Sequence, residues 1–144
     1  MIKIKSLKLV NEKSIKYEFD KITSPKNVFE IMQKIGATEK AQENVYIICL
    51  DTKNNINCIA NVSIGTLENA VIDKKVIFQY LYLTNSSKLI LTHNHPSGDT
   101  TPSKQDIYIT QQINEACKML DFQLLDHIIT STNSFTSIKE LGGF

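Results

Sequence analysis

The sequence predicts one α/β-type domain built on a central sheet, and three observations carry that expectation. Apolar runs of strand length interleave with stretches of helical period. Turn chemistry separates the runs at regular intervals, as at Ser24-Pro25, Asp51-Thr52-Lys53-Asn54-Asn55 and Ser131-Thr132-Asn133. No internal repeat, low-complexity tract or linker divides the 144 residues, a length that suits a single hydrophobic core. Residues 1–144 are therefore read as one domain, with residues 1–23 as an N-terminal hairpin extension.

The hairpin rests on alternation. Ile2, Ile4, Leu7 and Leu9 stand among lysines over residues 2–10, residues 15–19 alternate again, and Asn11-Glu12-Lys13-Ser14 lies between them. Ser24 and Pro25 then open a helix, with Val28, Ile31, Met32 and Ile35 on one face and Gly36 as its stop. Val45–Leu50 is a short continuous apolar run, expected to be a buried strand, and 56–64 is its partner beyond the Asp51–Asn55 turn. Over 73–84 a stripe of Val76, Ile77, Tyr80, Leu81 and Leu83 marks a helix, with Asp73 as its cap. Lys88–Leu91 is a further strand, ending near Thr92. Ser103–Leu120 carries Ile109, Ile113, Ala116, Cys117 and Leu120 at helical spacing. Phe122–Thr130 and Ser134–Ile138 close the sheet.

Composition narrows the function classes. The hydrophobic share of 42% and charged share of 22% suit a soluble globular chain. No apolar run approaches the roughly 20 residues of a membrane span. The Met1-Ile2-Lys3-Ile4-Lys5 start lacks the apolar core of a signal peptide, so a cytoplasmic location is expected and no membrane partner. The net charge of +1 supplies no global attraction for nucleic acid, and all 16 basic residues are lysine, which removes arginine's bidentate readout. Cys49, Cys58 and Cys117 form no CxxC pair and read as reduced, buried thiols.

Chemistry concentrates in residues 93–106, His-Asn-His-Pro-Ser-Gly-Asp-Thr-Thr-Pro-Ser-Lys-Gln-Asp. Alternate residues share a face of a strand, so His93 and His95 emerge together at a strand end. Asp106 falls in the first turn of the next helix, able to face back toward them. Two imidazoles and a carboxylate hold zinc and leave the fourth position for water, which is the pattern of a catalytic rather than a structural site. A base is then needed for the water's proton. Asp99 sits in the turn itself, whereas Glu43 opens the Val45–Leu50 strand and is better fixed. Ser103 offers a hydroxyl to a developing oxyanion. Ser103-x-x-Asp106 is equally the pattern of a helix capping box, and both readings stay open here.

His93-x-His95, seven residues, Ser103, two residues, Asp106 resembles the JAMM motif of the JAB/MPN metalloprotease superfamily. Thr92-His93-Asn94-His95-Pro96-Ser97-Gly98-Asp99 with Thr101-Pro102-Ser103 resembles its bacterial RadC branch more closely. Leu125-Asp126-His127-Ile128-Ile129, Phe135-Thr136-Ser137 and Ser63-Ile64-Gly65-Thr66-Leu67 are similar to other segments of that branch, so the likeness spans about residues 24–143. It implies a JAB/MPN, cytidine-deaminase-like fold of α+β type, with a central mixed sheet flanked by helices. It also implies zinc on His93, His95 and Asp106, Glu43 as general acid/base with Glu68 as the lesser alternative, and Ser103 as oxyanion stabiliser. His127 is expected to be structural or to support the ligands. The chain departs from the branch at Ile72-Asp73-Lys74-Lys75-Val76-Ile77, where a proline and an arginine are lost, and the expected form lacks the helix-hairpin-helix region of full-length RadC proteins.

Two functions follow as expectations. One is a zinc metallohydrolase of JAMM type, a metallopeptidase or isopeptidase acting on a peptide or protein conjugate. The other is a DNA-repair-associated module of the RadC family that binds or cuts nucleic acid. A third, a scaffold with a purely structural metal, is disfavoured by three protein ligands where structural zinc usually has four.

Overall fold

The computed structural model describes residues 1–18, 20–64 and 72–144. The elements run α1 (Pro25–Lys34), β1 (Asn44–Leu50), β2 (Ile56–Ile64), α2 (Lys74–Leu83), β3 (Lys88–Asn94), α3 (Lys104–Met119), β4 (Gln123–Thr130) and β5 (Phe135–Ser137). Five strands form one mixed sheet in the order β2-β1-β3-β4-β5. Its pairs are antiparallel except β3 and β4, which run parallel and are joined through α3. This is the α+β architecture expected from the sequence, a central sheet flanked by helices.

Alternation along each strand sorts the core into two layers. Val45, Ile47 and Cys49 of β1 and Leu89 and Leu91 of β3 pack with Ile77, Phe78 and Leu81 of α2 and Ile113 and Cys117 of α3. Ile48, Leu50, Ile90 and Ile128 point through the other face onto Val28, Ile31 and Met32 of α1. These strands are buried on both sides, which is why they read as continuous apolar runs rather than as alternating ones. Gly36, at φ +74°, follows α1 in the left-handed conformation that ends a helix. Asp73 caps α2 by accepting the Lys75 N–H at 2.9 Å.

One irregularity positions the site. Leu89 pairs with Leu124, but the next residue, Ile90, pairs with Asp126, so Leu125 is an extra residue in β4. The bulge re-phases the strand. His127 then stands beside Leu91 on the α3 face, while Asp126 lines a cavity beneath α1 with Ile22, Val28 and Ile128.

The expected N-terminal hairpin is not formed among the described residues: residues 1–17 carry no strand, and Ile2, Ile4 and Val10 are exposed. Alternation needs a surface to bury its apolar face, and an isolated two-stranded ribbon is marginal in water. Ile15 and Tyr17 pack toward α1, where the Tyr17 hydroxyl donates to Glu30 Oε2 at 2.9 Å. Lys21 then bridges Asn55 at the start of the β2 edge. No helix among the described residues is long and apolar enough to cross a membrane.

Candidate metal centre

β3 runs two residues further than its apolar run suggests, so His93 and Asn94 lie inside the strand and His95 just beyond it. His95 stays aligned because its backbone N–H donates to the Thr130 carbonyl at 2.8 Å, continuing the pairing with β4. Gly98, at φ +88°, turns the chain back, with its N–H donating to the His95 carbonyl at 3.1 Å. α3 then starts at Ser103 with a reciprocal capping box. The Asp106 N–H donates to Ser103 Oγ at 3.0 Å, and the Ser103 N–H donates to Asp106 Oδ2 at 2.9 Å. Capping and site formation are thus the same contact, since the box fixes the carboxylate that faces the histidines.

The three expected ligands come together. His93 Nε2 lies 2.9 Å from His95 Nε2, and these nitrogens lie 3.4 Å from Asp106 Oδ1 and Oδ2 respectively. His93 and Asp106 are almost wholly buried, and His95 is half-buried at the open side. All three donor atoms fall within 4.8 Å of one another, a cluster that could hold a metal ion. Donors about 2.0–2.2 Å from a tetrahedral zinc would stand about 3.3 Å apart, close to the spacings seen here.

Protonation chemistry agrees with that fit. His95 Nδ1 is 2.7 Å from the Asp99 carbonyl, which can only accept, so Nδ1 carries the hydrogen and neutral His95 offers its Nε2 lone pair to the cluster. Burial works against ionising Asp106, but the imidazoles of His93 and His95 beside it, joined by the Ser103 N–H, outweigh that and hold the carboxyl well below the usual carboxylate range. Burial also disfavours charge on His95, yet contact with Asp106, the Asp99 carbonyl and the nearby charges of Asp106 and Glu43 together raise its pKa. An anionic oxygen pair facing two close imidazole nitrogens in a buried site is an arrangement that wants a cation between its members.

Residues 22–143 match the family model described as the RadC-like JAB domain. The chain belongs to the RadC-like JAB domain family. Among its relatives, a UPF0758 protein of Roseiflexus sp. (strain RS-1) is 41% identical over 121 residues, 84% of this chain and 52% of that protein. A UPF0758 protein of Clostridium beijerinckii is 42% identical over 122 residues, covering 85% and 53%. One from Methanosarcina barkeri is 38% identical over 122 residues, again 85% and 53%. The chain spans about half the length of these curated relatives.

In this RadC-like JAB domain Glu43 immediately precedes β1 and is half-buried. Val45 pairs with His93, so continuing that antiparallel register by two residues sets Glu43 opposite His95, in keeping with its effect on the His95 charge. Asn94 fixes the loop that carries it. Its Oδ1 accepts the Asn44 N–H at 2.7 Å, and its Nδ2 donates to the Lys40 and Gln42 carbonyls at 3.1 Å each. Glu68 and the Gly65–Leu67 segment lie outside the described residues. Asp99 is a turn residue: its carboxylate accepts the Thr101 N–H at 2.9 Å, and the Thr101 side chain together with that N–H holds its pKa below the ordinary value. The three thiols are packed in or against the core, and burial pushes Cys49 up to about 12 and Cys117 up to about 11, which keeps both inert.

Two participants are not signalled by the motif. His127, fully buried, places Nε2 2.7 Å from His93 Nδ1. Burial, joined by the neighbouring His93, drives its pKa well down, so it is neutral. Thr110 places Oγ1 2.6 Å from His127 Nδ1 and 2.6 Å from the Asp106 carbonyl, to which it donates. The only sequence signal for Thr110 is its spacing, one turn beyond Asp106 on the buried face of α3, where a threonine commonly back-bonds the i−4 carbonyl.

Proposed function

We propose that this chain is a zinc-dependent metallohydrolase of JAMM type that cleaves an amide bond in a peptide or protein conjugate. The observation that carries the reading is the convergence of His93 Nε2, His95 Nε2 and the ionised Asp106 carboxylate on one point, three ligands rather than four among the described residues. Zinc held by these residues would lower the pKa of a water from about 15.7 toward roughly 7 and polarise the carbonyl to be attacked. Glu43, opposite His95, takes the proton from the attacking water and returns it to the leaving nitrogen. Ser103 Oγ already accepts the Asp106 N–H, so its own hydrogen is left to donate to the oxygen of the substrate carbonyl as negative charge develops there.

Zinc content and amide cleavage, measured side by side, test this. Wild type and Glu43→Gln should both carry near-stoichiometric zinc, with cleavage of a peptide or isopeptide substrate reduced about 10²–10⁴-fold in Glu43→Gln. A wild type that takes up no zinc after reconstitution would end the hydrolase reading. The alternative, a nucleic-acid module, is separated by offering DNA beside the peptide substrate. Binding or cutting of DNA with a steep salt dependence would favour it.

A further inference from the structure

We propose that His127 and Thr110 are positioning residues for the metal centre, fixing which nitrogen of His93 is free to ligate. The proposal rests on the metal reading above and follows from hydrogen positions that the geometry dictates. Thr110 Oγ1 lies 2.6 Å from the Asp106 main-chain carbonyl. A carbonyl carries no hydrogen, and two oxygens that close would repel without one between them, so the Thr110 hydroxyl hydrogen is committed there.

The remaining assignments are forced in turn. Thr110 Oγ1 has only acceptor capacity left for His127 Nδ1, 2.6 Å away, so His127 Nδ1 carries the hydrogen. At a pH where imidazole is neutral, His127 then has a bare Nε2, which must accept from His93 Nδ1 at 2.7 Å. His93 therefore holds its hydrogen on Nδ1 and turns the Nε2 lone pair toward His95 and Asp106. The reverse tautomer would aim an N–H into the space between the ligands and occupy the position a cation needs. His93, Thr110 and His127 are at most 1% exposed, so water does not offer these groups another partner.

The chain of bonds is closed on the site itself. It leaves the backbone of one ligand, Asp106, and returns to the ring of another, His93, through one residue of α3 and one of β4. The bulge at Leu125 makes this possible, because it brings His127 rather than Asp126 beside β3 on the α3 face. His95 holds its Nδ1 hydrogen by a separate route, through the Asp99 carbonyl. Nδ1 of both histidines is thus engaged before any ion arrives, by partners of the kind that orient metal-bound imidazoles. The hydrogen that the 2.9 Å contact between the two Nε2 atoms needs in the ion-free chain sits on His95, leaving His93 Nε2 bare.

The test begins with the zinc-free full chain, labelled with ¹⁵N-histidine and held at an alkaline pH where imidazole is neutral. Long-range ¹H–¹⁵N spectra should show His93 and His127 protonated at Nδ1, with a scalar coupling across the bond from His93 Nδ1 to His127 Nε2. A proton on His93 Nε2 would overturn the proposal without any substitution being made. Zinc affinity by chelator competition then tests the role of the relay. Thr110→Val, folded by circular dichroism, should bind zinc about 10–100-fold more weakly, with Thr110→Ser returning close to wild type. Wild-type affinity and an unchanged His93 tautomer in Thr110→Val would overturn the positioning role alone, with zinc still bound to the wild type. Absence of zinc from the wild type is a different result, and removes the metal reading together with this inference.

Discussion

Two aspartates in this fold are buried to a similar degree and behave in opposite ways. Asp106, at the start of α3, meets two imidazoles and a backbone N–H, and its carboxyl is held well below the ordinary range. Asp126, on β4 under α1, accepts from the Ser137 hydroxyl at 2.6 Å and from the His127 and Lys139 N–H groups at 2.7 and 3.2 Å. Burial still pushes its pKa up, since those neutral donors only partly offset the lost hydration. The contrast teaches that burial alone does not mark a functional carboxylate. What separates the two is the company: cationic or metal-seeking partners at one, neutral hydrogen-bond donors at the other. Asp106 is built to face a positive charge, and Asp126 to tie β4 to β5.

The largest expected effect would break that contrast at the metal. Asp106→Ala should reduce zinc from near-stoichiometric to background by elemental analysis, a greater loss than the roughly 10–100-fold typical of outer-shell changes. Asp126→Ala should leave zinc content as in wild type. If Asp126→Ala stripped zinc as thoroughly, the division of roles would be wrong. Next in size is stability. Asp126→Ala strands the Ser137 hydroxyl and two backbone donors, a cost on the order of 3 kcal/mol by urea denaturation.

The smallest effect is a difference in slope with pH, measured on zinc-free protein. Asp126 has a raised pKa, so its contribution is fully present below the ordinary carboxylate value of about 3.9 and is lost as pH rises through its folded value. Asp106 has a lowered pKa, so its contribution is present above the ordinary value and is lost as pH falls toward its folded value. On acidification the stability advantage of wild type over Asp126→Asn should therefore grow, while that over Asp106→Asn should shrink. Parallel slopes would mean that the two sites differ less than their neighbours suggest.

Much of this was legible in the sequence because it is local. The strands β1 and β3 are continuous apolar runs, α3 has a cap three residues before Asp106, and the three residues of the candidate metal cluster lie within fourteen consecutive positions, so periodicity and spacing are enough to bring them to notice. What could not be read was non-local. Residues 2–10 alternate as a strand should, but Ile2, Ile4 and Val10 stay exposed, and alternation without burial did not make a strand. The extra residue at Leu125 depends on how β4 registers against β3, and no feature of Leu124-Leu125-Asp126 signals it. Without that register Thr110 is one more helical threonine. Glu43 stands out in the sequence by its position before a strand, and only the β1–β3 register, continued two residues past the Val45–His93 pair, brings it opposite His95.

Asn94, the middle residue of His-x-His, has a consequence for how the site is assembled. Its side-chain oxygen and nitrogen are all engaged by residues 40–44, so the loop bearing Glu43 is indexed to the very strand that bears both histidines. The two halves of the proposed machinery are gauged against each other by one amide, with no need for them to touch. The freedom given up in aligning them is lost once, when the chain folds, and not again at each encounter with substrate.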